Sequence, residues 1–224
     1  MSEAPRSIVA FFDLDRTLLA PNSAIQWVRA EFRMGRIRLG DFFRAGVWGL
    51  RYHLGQDISE AVRAAIATLE GQLEQTLRDR THEFYFREIA GMERRGALSA
   101  LEWHRTHGHR IVLLTSASLY LAEVASHRCG LDDFLCTRFE VDKTGHFTGK
   151  VQEPLCYGYG KFQIAKSYLE TSGARLREAY FYTDSMSDVD LLAAVGHPVA
   201  VNPDFRLRRL ARSHGWPIVD WGGP

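Results

Sequence analysis

The sequence predicts an α/β protein: a doubly wound, mostly parallel sheet with helices on its faces, a small β-hairpin flap, and a helical cap inserted after the first strand. Three observations carry this. The apolar run Ile8-Val9-Ala10-Phe11-Phe12 passes directly into Asp13-Leu14-Asp15-Arg16-Thr17, and a second run, Ala179-Tyr180-Phe181-Tyr182-Thr183, into Asp184-Ser185-Met186-Ser187-Asp188. Short apolar runs bounded by polar residues read as interior strands of a parallel sheet. From about residue 96 onward, helical and strand patterns alternate, whereas between residues 20 and 95 the strand pattern vanishes.

Taken in order, the first strand ends at Phe12, and helical spacing then covers Ser23 to Met34, Leu39 to Leu54, Ser59 to Leu73 and Thr76 to Arg94. These make the cap, residues 20–95. The core is residues 1–19 with 96–224. In the core, a helix over Gly96 to His107 precedes a strand at Arg110 to Leu114 and a helix at Leu119 to His127. Arg138 to Asp142 and His146 to Lys150, joined around Lys143-Thr144-Gly145, form the hairpin. A helix over Lys161 to Glu170 leads to the Tyr180 strand. Helix Ser187 to Ala194, strand Pro198 to Val201, helix Asp204 to Ser213 and a last strand near Ile218 follow. This alternation defines a doubly wound core.

With 224 residues, 46% of them hydrophobic, the chain can bury a sizeable core. Its 28 Lys and Arg against 27 Asp and Glu give no long-range field that would argue for nucleic acid. Cys129, Cys136 and Cys156 contain no C-x-x-C pair, which disfavours a disulfide framework or a zinc site and suits a reducing cytoplasm. Met1 to Arg6 shows no secretory signal and no later stretch reaches membrane-spanning length, so we expect a cytoplasmic protein without membrane insertion. Oligomeric state is left open.

Parallel sheets bind ligands beyond the carboxyl ends of their strands, where both acidic segments fall. Carboxylates gathered there repel, and a hard cation such as Mg²⁺ is the natural compensator for oxygen donors. Ile111 to Leu114 leads to Thr115-Ser116-Ala117-Ser118, which offers hydroxyls and backbone N–H groups to a phosphoryl oxygen. Gly158-Tyr159-Gly160-Lys161 puts a lysine at a helix start, but Phe162 follows it, so this is not a Walker loop. Each feature has a plainer reading as helix cap, turn or solvated residue.

Together and in this order, they resemble the phosphatases of the haloacid dehalogenase-like superfamily, nearest its phosphoserine-phosphatase-like subfamily IB branch, with a Rossmann-like core. The first motif, Asp-x-Asp-x-Thr, matches Asp13, Asp15 and Thr17; the Ser/Thr motif matches Ser116, with Thr115 as the alternative register. The lysine motif matches Lys161, and the closing acidic motif Asp184 and Asp188. The resemblance implies that Asp13 attacks phosphorus to form an aspartyl-phosphate, while Asp15 donates a proton to the leaving alkoxide and then takes one from water. It also implies that Mg²⁺ is held by Asp13, the Asp15 carbonyl and Asp184, with Asp188 coordinating through water or orienting Lys161. Ser116, Ala117, Leu14 and Lys161 would bind the phosphoryl oxygens. Arg16 could contact substrate or pair with an acid at the cap boundary.

The expected activity is hydrolysis of a small phosphomonoester. Phosphoserine phosphatases carry an acid shortly after the first motif, where this chain has Pro21-Asn22-Ser23-Ala24-Ile25 and no acid before Glu31. Phosphoserine is therefore disfavoured, and histidinol phosphate or a similar ester is the alternative. A dehalogenase is disfavoured because a departing halide needs no proton from Asp15. A phosphotransferase, or a silent phospholigand-binding module on the same fold, stays as the competing expectation. His104, His107 and His109 are read as surface or supporting histidines rather than a metal trio. Phe42, Phe43, Val47, Trp48, Leu50, Tyr52 and Leu54, interleaved with Arg44 and Arg51, are read as cap core, with a greasy substrate pocket or a weak membrane-surface contact as the alternative.

Overall fold

The computed structural model describes residues 8–36 and 59–224. Strand β1 (Val9–Phe12) lies between β2 (Arg110–Ser118) and β6 (Tyr180–Thr183), and the parallel sheet runs β3-β2-β1-β6-β7-β8. Here β3 is Asp133–Thr137, β7 His197–Val201 and β8 Ile218–Val219. Strand order reverses at β1 and β6, and that switch point opens a crevice at their carboxyl ends.

Alternation explains why the strands read as unbroken apolar runs. Ala10, Phe12, Ile111 and Leu113 pack on one face, Val9, Phe11, Val112 and Leu114 on the other, and both faces are covered. Phe11 and Phe12 are fully buried, each worth roughly 2 kcal/mol of transfer free energy. Helix α4 (Arg95–Thr106) sends Ala97 and Leu101 into the first layer. Helices α6 (Tyr159–Ser172) and α8 (Phe205–His214) send Ala165, Leu169, Leu207 and Ala211 into the second.

After β1 the chain makes a wide turn over Leu14–Leu18 and enters α1 (Ser23–Arg33), capped by the Asn22 side chain accepting from the Ile25 N–H. Helices α2 (Ser59–Ala67) and α3 (Glu74–Phe84) follow, and a second wide turn, Tyr85–Ile89, precedes the return to the core. The outgoing and returning segments pair: Ala20 N–H donates to the Met92 carbonyl and Arg94 N–H to the Leu18 carbonyl. A second attachment joins the hairpin β4 (Phe139–Val141) and β5 (Phe147–Val151) to the segment after α2. There Gly71 N–H donates to Phe147 O, Phe147 N–H to Gln72 O, and Glu74 N–H to Gly145 O.

Several expectations need correction. The β2 strand runs past Leu114 to Ser118, through a register shift after Leu114. Strand β3 was not anticipated: Asp133-Phe134-Leu135-Cys136-Thr137 is an edge strand, only partly buried, without a clean pattern. The helix expected over Ser59 to Leu73 stops at Ala67, and that over Thr76 to Arg94 becomes α3 plus a wide turn. The segment from Ser187 splits into a 3₁₀ turn, Met186–Asp188, and α7 (Val189–Ala194). Between β2 and β3 runs α5 (Leu119–Cys129), closed by left-handed Gly130. The Leu39 to Leu54 helix, and the aromatic segment from Phe42 to Leu54, lie outside the described residues. No described helix is long and apolar enough to cross a membrane, and the three cysteines form no disulfide.

Candidate active site

Asp13 is fixed before its side chain does anything: its N–H extends the β1–β6 pairing by donating to the Tyr182 carbonyl at 2.9 Å. Its carboxylate, 6% exposed as a residue, accepts from Lys161 Nζ at 2.7 Å through Oδ1. The same ammonium donates to Asp188 Oδ2 at 2.9 Å, which also accepts from the Thr183 hydroxyl at 2.6 Å. The lysine is thus clamped between the two acidic strand ends. Burial opposes its charge, but Asp13 and Asp188 outweigh burial and hold it protonated. Asp188 thus accepts from Lys161, the contact that one of the two roles expected of it requires.

Glycines bring Lys161 this close. Gly158 sits at φ 54°, ψ −129°, a region that side chains disfavour, and a Cβ on Gly160 would stand 1.9 Å from the Leu155 carbonyl oxygen. Any other residue at 160 would push the start of α6 away from the mouth.

Asp15 behaves differently. It sits in the extended region (φ −68°, ψ 128°), and its Oδ1 accepts from the Ser23 N–H at 2.7 Å. Burial raises its pKa against the pull of the Ser23 hydrogen bonds, which favours a carboxyl able to hold a proton. Ser23 was missed by sequence reading; it acts on Asp15 through its side chain as well as its backbone N–H. The signal was the Pro21-Asn22-Ser23 cap stretch, which starts α1 at the place where its free N–H groups face Asp15. Arg16 adopts φ 59°, a left-handed conformation costly for a non-glycine residue. Its N–H donates to the Pro21 carbonyl at 3.2 Å, and its carbonyl accepts from Arg94 Nε at 3.1 Å. Arg94 was also missed, since 78 residues separate it from Arg16.

Asp184 is the under-satisfied member. It is 5% exposed, and no described residue donates a hydrogen bond to its carboxylate. Burial, then the negative charges of Asp13 and Asp188, push its pKa well above the usual carboxylate range. Asp13 is raised by burial as well, against the pull of Lys161. Among the described residues no three Asp, Glu, His or Cys side chains form a metal-holding group. With the Asp15 carboxylate turned to Ser23, its contribution to a cation would be its backbone carbonyl, to which no described group donates. Two buried carboxylates and a carbonyl form a hard-oxygen donor set, and the Asp184 carboxylate takes no hydrogen bond from a described residue, so these residues fit a Mg²⁺ ion.

The two hydroxyl registers separate clearly. Thr115 is buried, and its Oγ1 accepts from the Ala117 N–H at 3.1 Å. Ser116 is exposed, its carbonyl held by the Thr137 hydroxyl at 2.9 Å and its own hydroxyl without a partner among the described residues. The Ala117 N–H expected to meet phosphate is therefore engaged with Thr115, whereas no described group accepts from the Leu14 N–H.

Glu31 is 2% exposed and bonded to Arg36 (3.2 Å) and to Arg80, so it is committed to two guanidinium groups. The histidines stand at the other end of the sheet: His104 Nδ1 shares a proton with His109 Nδ1 at 2.8 Å, and its Nε2 meets the Tyr182 hydroxyl at 3.0 Å.

Residues 10–193 match the haloacid dehalogenase-like hydrolase family model. A phosphoserine phosphatase of Mycobacterium tuberculosis is 34% identical, the match covering 95% of this chain and 70% of that protein. A histidinol-phosphatase of Neisseria meningitidis is 26% identical over 95% of this chain and 98% of its own length. Among solved structures, a Bordetella pertussis protein of unknown function superposes with a TM-score of 0.85 at 27% identity, covering 96% of this chain and all (100%) of that one. A phosphoserine phosphatase with a phospho-aspartyl intermediate analogue superposes with a TM-score of 0.71 at 15% identity, covering 97% and 95%, which speaks for the fold. The chain belongs to the haloacid dehalogenase-like hydrolases, among relatives named as phosphatases.

Proposed function

We propose that this hydrolase is a Mg²⁺-dependent phosphomonoesterase that cleaves a small phosphorylated metabolite through an aspartyl-phosphate on Asp13. The observation that carries the reading is the pairing of Lys161 Nζ with Asp13 Oδ1 at 2.7 Å, beside Asp184, a buried carboxylate with no donor among the described residues. A nucleophilic carboxylate needs one oxygen anchored and the other available, and a lysine on Oδ1 provides that. Asp13 forms a bond to phosphorus as the ester P–O bond breaks, and Asp15 passes its proton to the departing alkoxide. Asp15 then takes a proton from the water that attacks phosphorus, and phosphate leaves with Asp13 regenerated. Lys161, the Ser116 hydroxyl and the Leu14 N–H receive the phosphoryl oxygens. Asp13, the Asp15 carbonyl and Asp184 would hold Mg²⁺, which when bound aligns phosphate with the nucleophile and neutralises its charge.

Relatives named for phosphoserine and for histidinol phosphate support a small phosphomonoester as the substrate class. Phosphoserine is disfavoured because Glu31, the first acid after the motif apart from Asp15, is neutralised by Arg36 and Arg80 and cannot greet an ammonium group. Arg16 is assigned to the substrate side of the mouth, where its charge acts on Asp15 and Asp184.

A panel of phosphometabolites with the purified protein tests this. Release of phosphate should require Mg²⁺, stop on chelation, and fall at least about a thousandfold in Asp13→Asn. Turnover retained by that variant would remove Asp13 as nucleophile. Asp15→Asn should slow alkyl esters more than aryl esters, since the poorer leaving group needs the proton more. Equal losses would count against Asp15 as the acid. Transfer of phosphate to an added alcohol in preference to water would identify a phosphotransferase instead.

A further inference from the structure

The outer face of α8 is the most one-sided charge feature among the described residues. Phe205-Arg206-Leu207-Arg208-Arg209-Leu210-Ala211-Arg212-Ser213-His214 carries four arginines and no acid, in a chain of net charge +1, so the remainder is net acidic. Leu207 and Ala211 anchor the helix in the core. On the opposite side Phe205, Arg208, Arg209 and Arg212 fall at the i, i+3, i+4, i+7 spacing of one stripe. Phe205 is 77% exposed, and none of Arg208, Arg209 and Arg212 forms an ion pair with a described residue. With Ser213 they line an open basin of about 390 Å³. Arg208 is near enough to Asp220 for its charge to act on that carboxylate without forming an ion pair, and a large exposed apolar ring at the start of a basic stripe is uncommon.

We propose that this face of α8 docks the enzyme on an anionic phospholipid bilayer. A helix face with an exposed aromatic ring at its start and three guanidinium groups along the following two turns meets the two requirements of an interfacial helix, apolar insertion and attraction to anionic headgroups. The stripe has no Asn, Gln, Asp or Glu, so it offers no amide or carboxylate to pair with a peptide backbone, with adenine or with cytosine. The helix is rigidly joined to the acidic mouth, because the Asp204 N–H donates to the Asp184 carbonyl at 3.2 Å while its side chain caps α8 at Leu207 N–H, 2.8 Å. A bilayer seated on α8 therefore holds the catalytic loop at a fixed offset from the surface.

The test is sedimentation of the full chain with vesicles of phosphatidylcholine alone or mixed with phosphatidylglycerol. Binding is expected only to the mixed vesicles and should be released by salt as the Debye length falls below about 8 Å. The triple variant Arg208→Ser, Arg209→Ser, Arg212→Ser should lower the partition coefficient at least about tenfold, and Phe205→Ser severalfold. Both should keep the wild-type melting temperature and hydrolysis of a soluble aryl phosphate. If the triple variant melts early, Phe205→Ser and the salt response of the unmodified chain still decide. No binding to mixed vesicles, equal binding to neutral ones, or binding untouched by these changes would overturn the proposal. So would complete release by single-stranded RNA at matched phosphate concentration, which would assign the face to nucleic acid.

Discussion

The two ends of the central strands are both crowded with titratable groups, yet they manage charge in opposite ways. At the carboxyl end, Asp13, Asp184 and Asp188 meet one clamped ammonium, and Asp184 takes no hydrogen bond from any described residue. At the amino end, His104 is fully buried and fully bonded, between His109 and the Tyr182 hydroxyl. Burial, then His109, His107 and His197, lowers its pKa to about 4, so it is neutral. One end stores unbalanced charge and the other removes charge altogether. A cluster of titratable residues therefore points to chemistry only where its hydrogen bonds fail to close.

Three experiments press on that difference. The largest effect is expected from Lys161→Met, which leaves Asp13 and Asp188 buried without their cation. We expect a loss of about 3–5 kcal/mol in urea unfolding, and a much smaller loss when Asp13→Asn is added to the same chain. If the single variant proves as stable as the parent, the mouth is not electrostatically loaded.

Next in size is the pH response of the histidine end. Because the folded pKa of His104 lies below its unfolded value of about 6.5, the unfolded chain binds a proton that the folded chain refuses. Stability is thus complete above pH 6.5 and is lost as pH falls toward 4, by about 2 kcal/mol at pH 5. In His104→Gln, comparison of urea midpoints at pH 7.5 and 5 should show this part of the slope removed. An unchanged slope would mean that His104 does not report the end it occupies.

The smallest effect should come from Ser116→Ala. Its exposed hydroxyl has no partner among the described residues to lose, so stability should stay within about 0.5 kcal/mol, while phosphate release falls by roughly ten- to a hundredfold. Thr115→Val should show the reverse, since it removes the acceptor of the Ala117 N–H. A larger loss of turnover in Thr115→Val than in Ser116→Ala would exchange their roles.

Much of this architecture was legible because buried parallel strands write themselves as apolar runs that stop at polar residues. Phe12 to Asp13 and Thr183 to Asp184 are such stops, and they locate the mouth without help from any other segment. The edge strand Asp133–Thr137 escaped because one side of it is only half-covered, so its pattern follows exposure rather than pairing. Backbone contacts escaped as well: beside its side-chain bond, Ser23 steadies Asp15 by an N–H that every residue except proline carries. Arg94 and Arg80, the second partner of Glu31, escaped for a third reason, since each lies tens of residues from the group it bonds and pairing of that kind has no period. The left-handed Arg16 ran against propensity, and its bonds to Pro21 and Arg94 show what holds it there.

The described residues between the first strand and α4 are bonded to the rest of the molecule where the chain leaves and returns beside Leu18 to Ala20, and by three backbone bonds to the hairpin. Side chains fasten it further: Arg63 pairs with Glu153, Arg78 with Glu123, and Phe84, Tyr85 and Ile89 lie in one buried cluster with Leu121 and Ala122. Turning this segment relative to the mouth would therefore open buried apolar surface as well as break ion pairs, so the rim around Asp13 is built as part of the core.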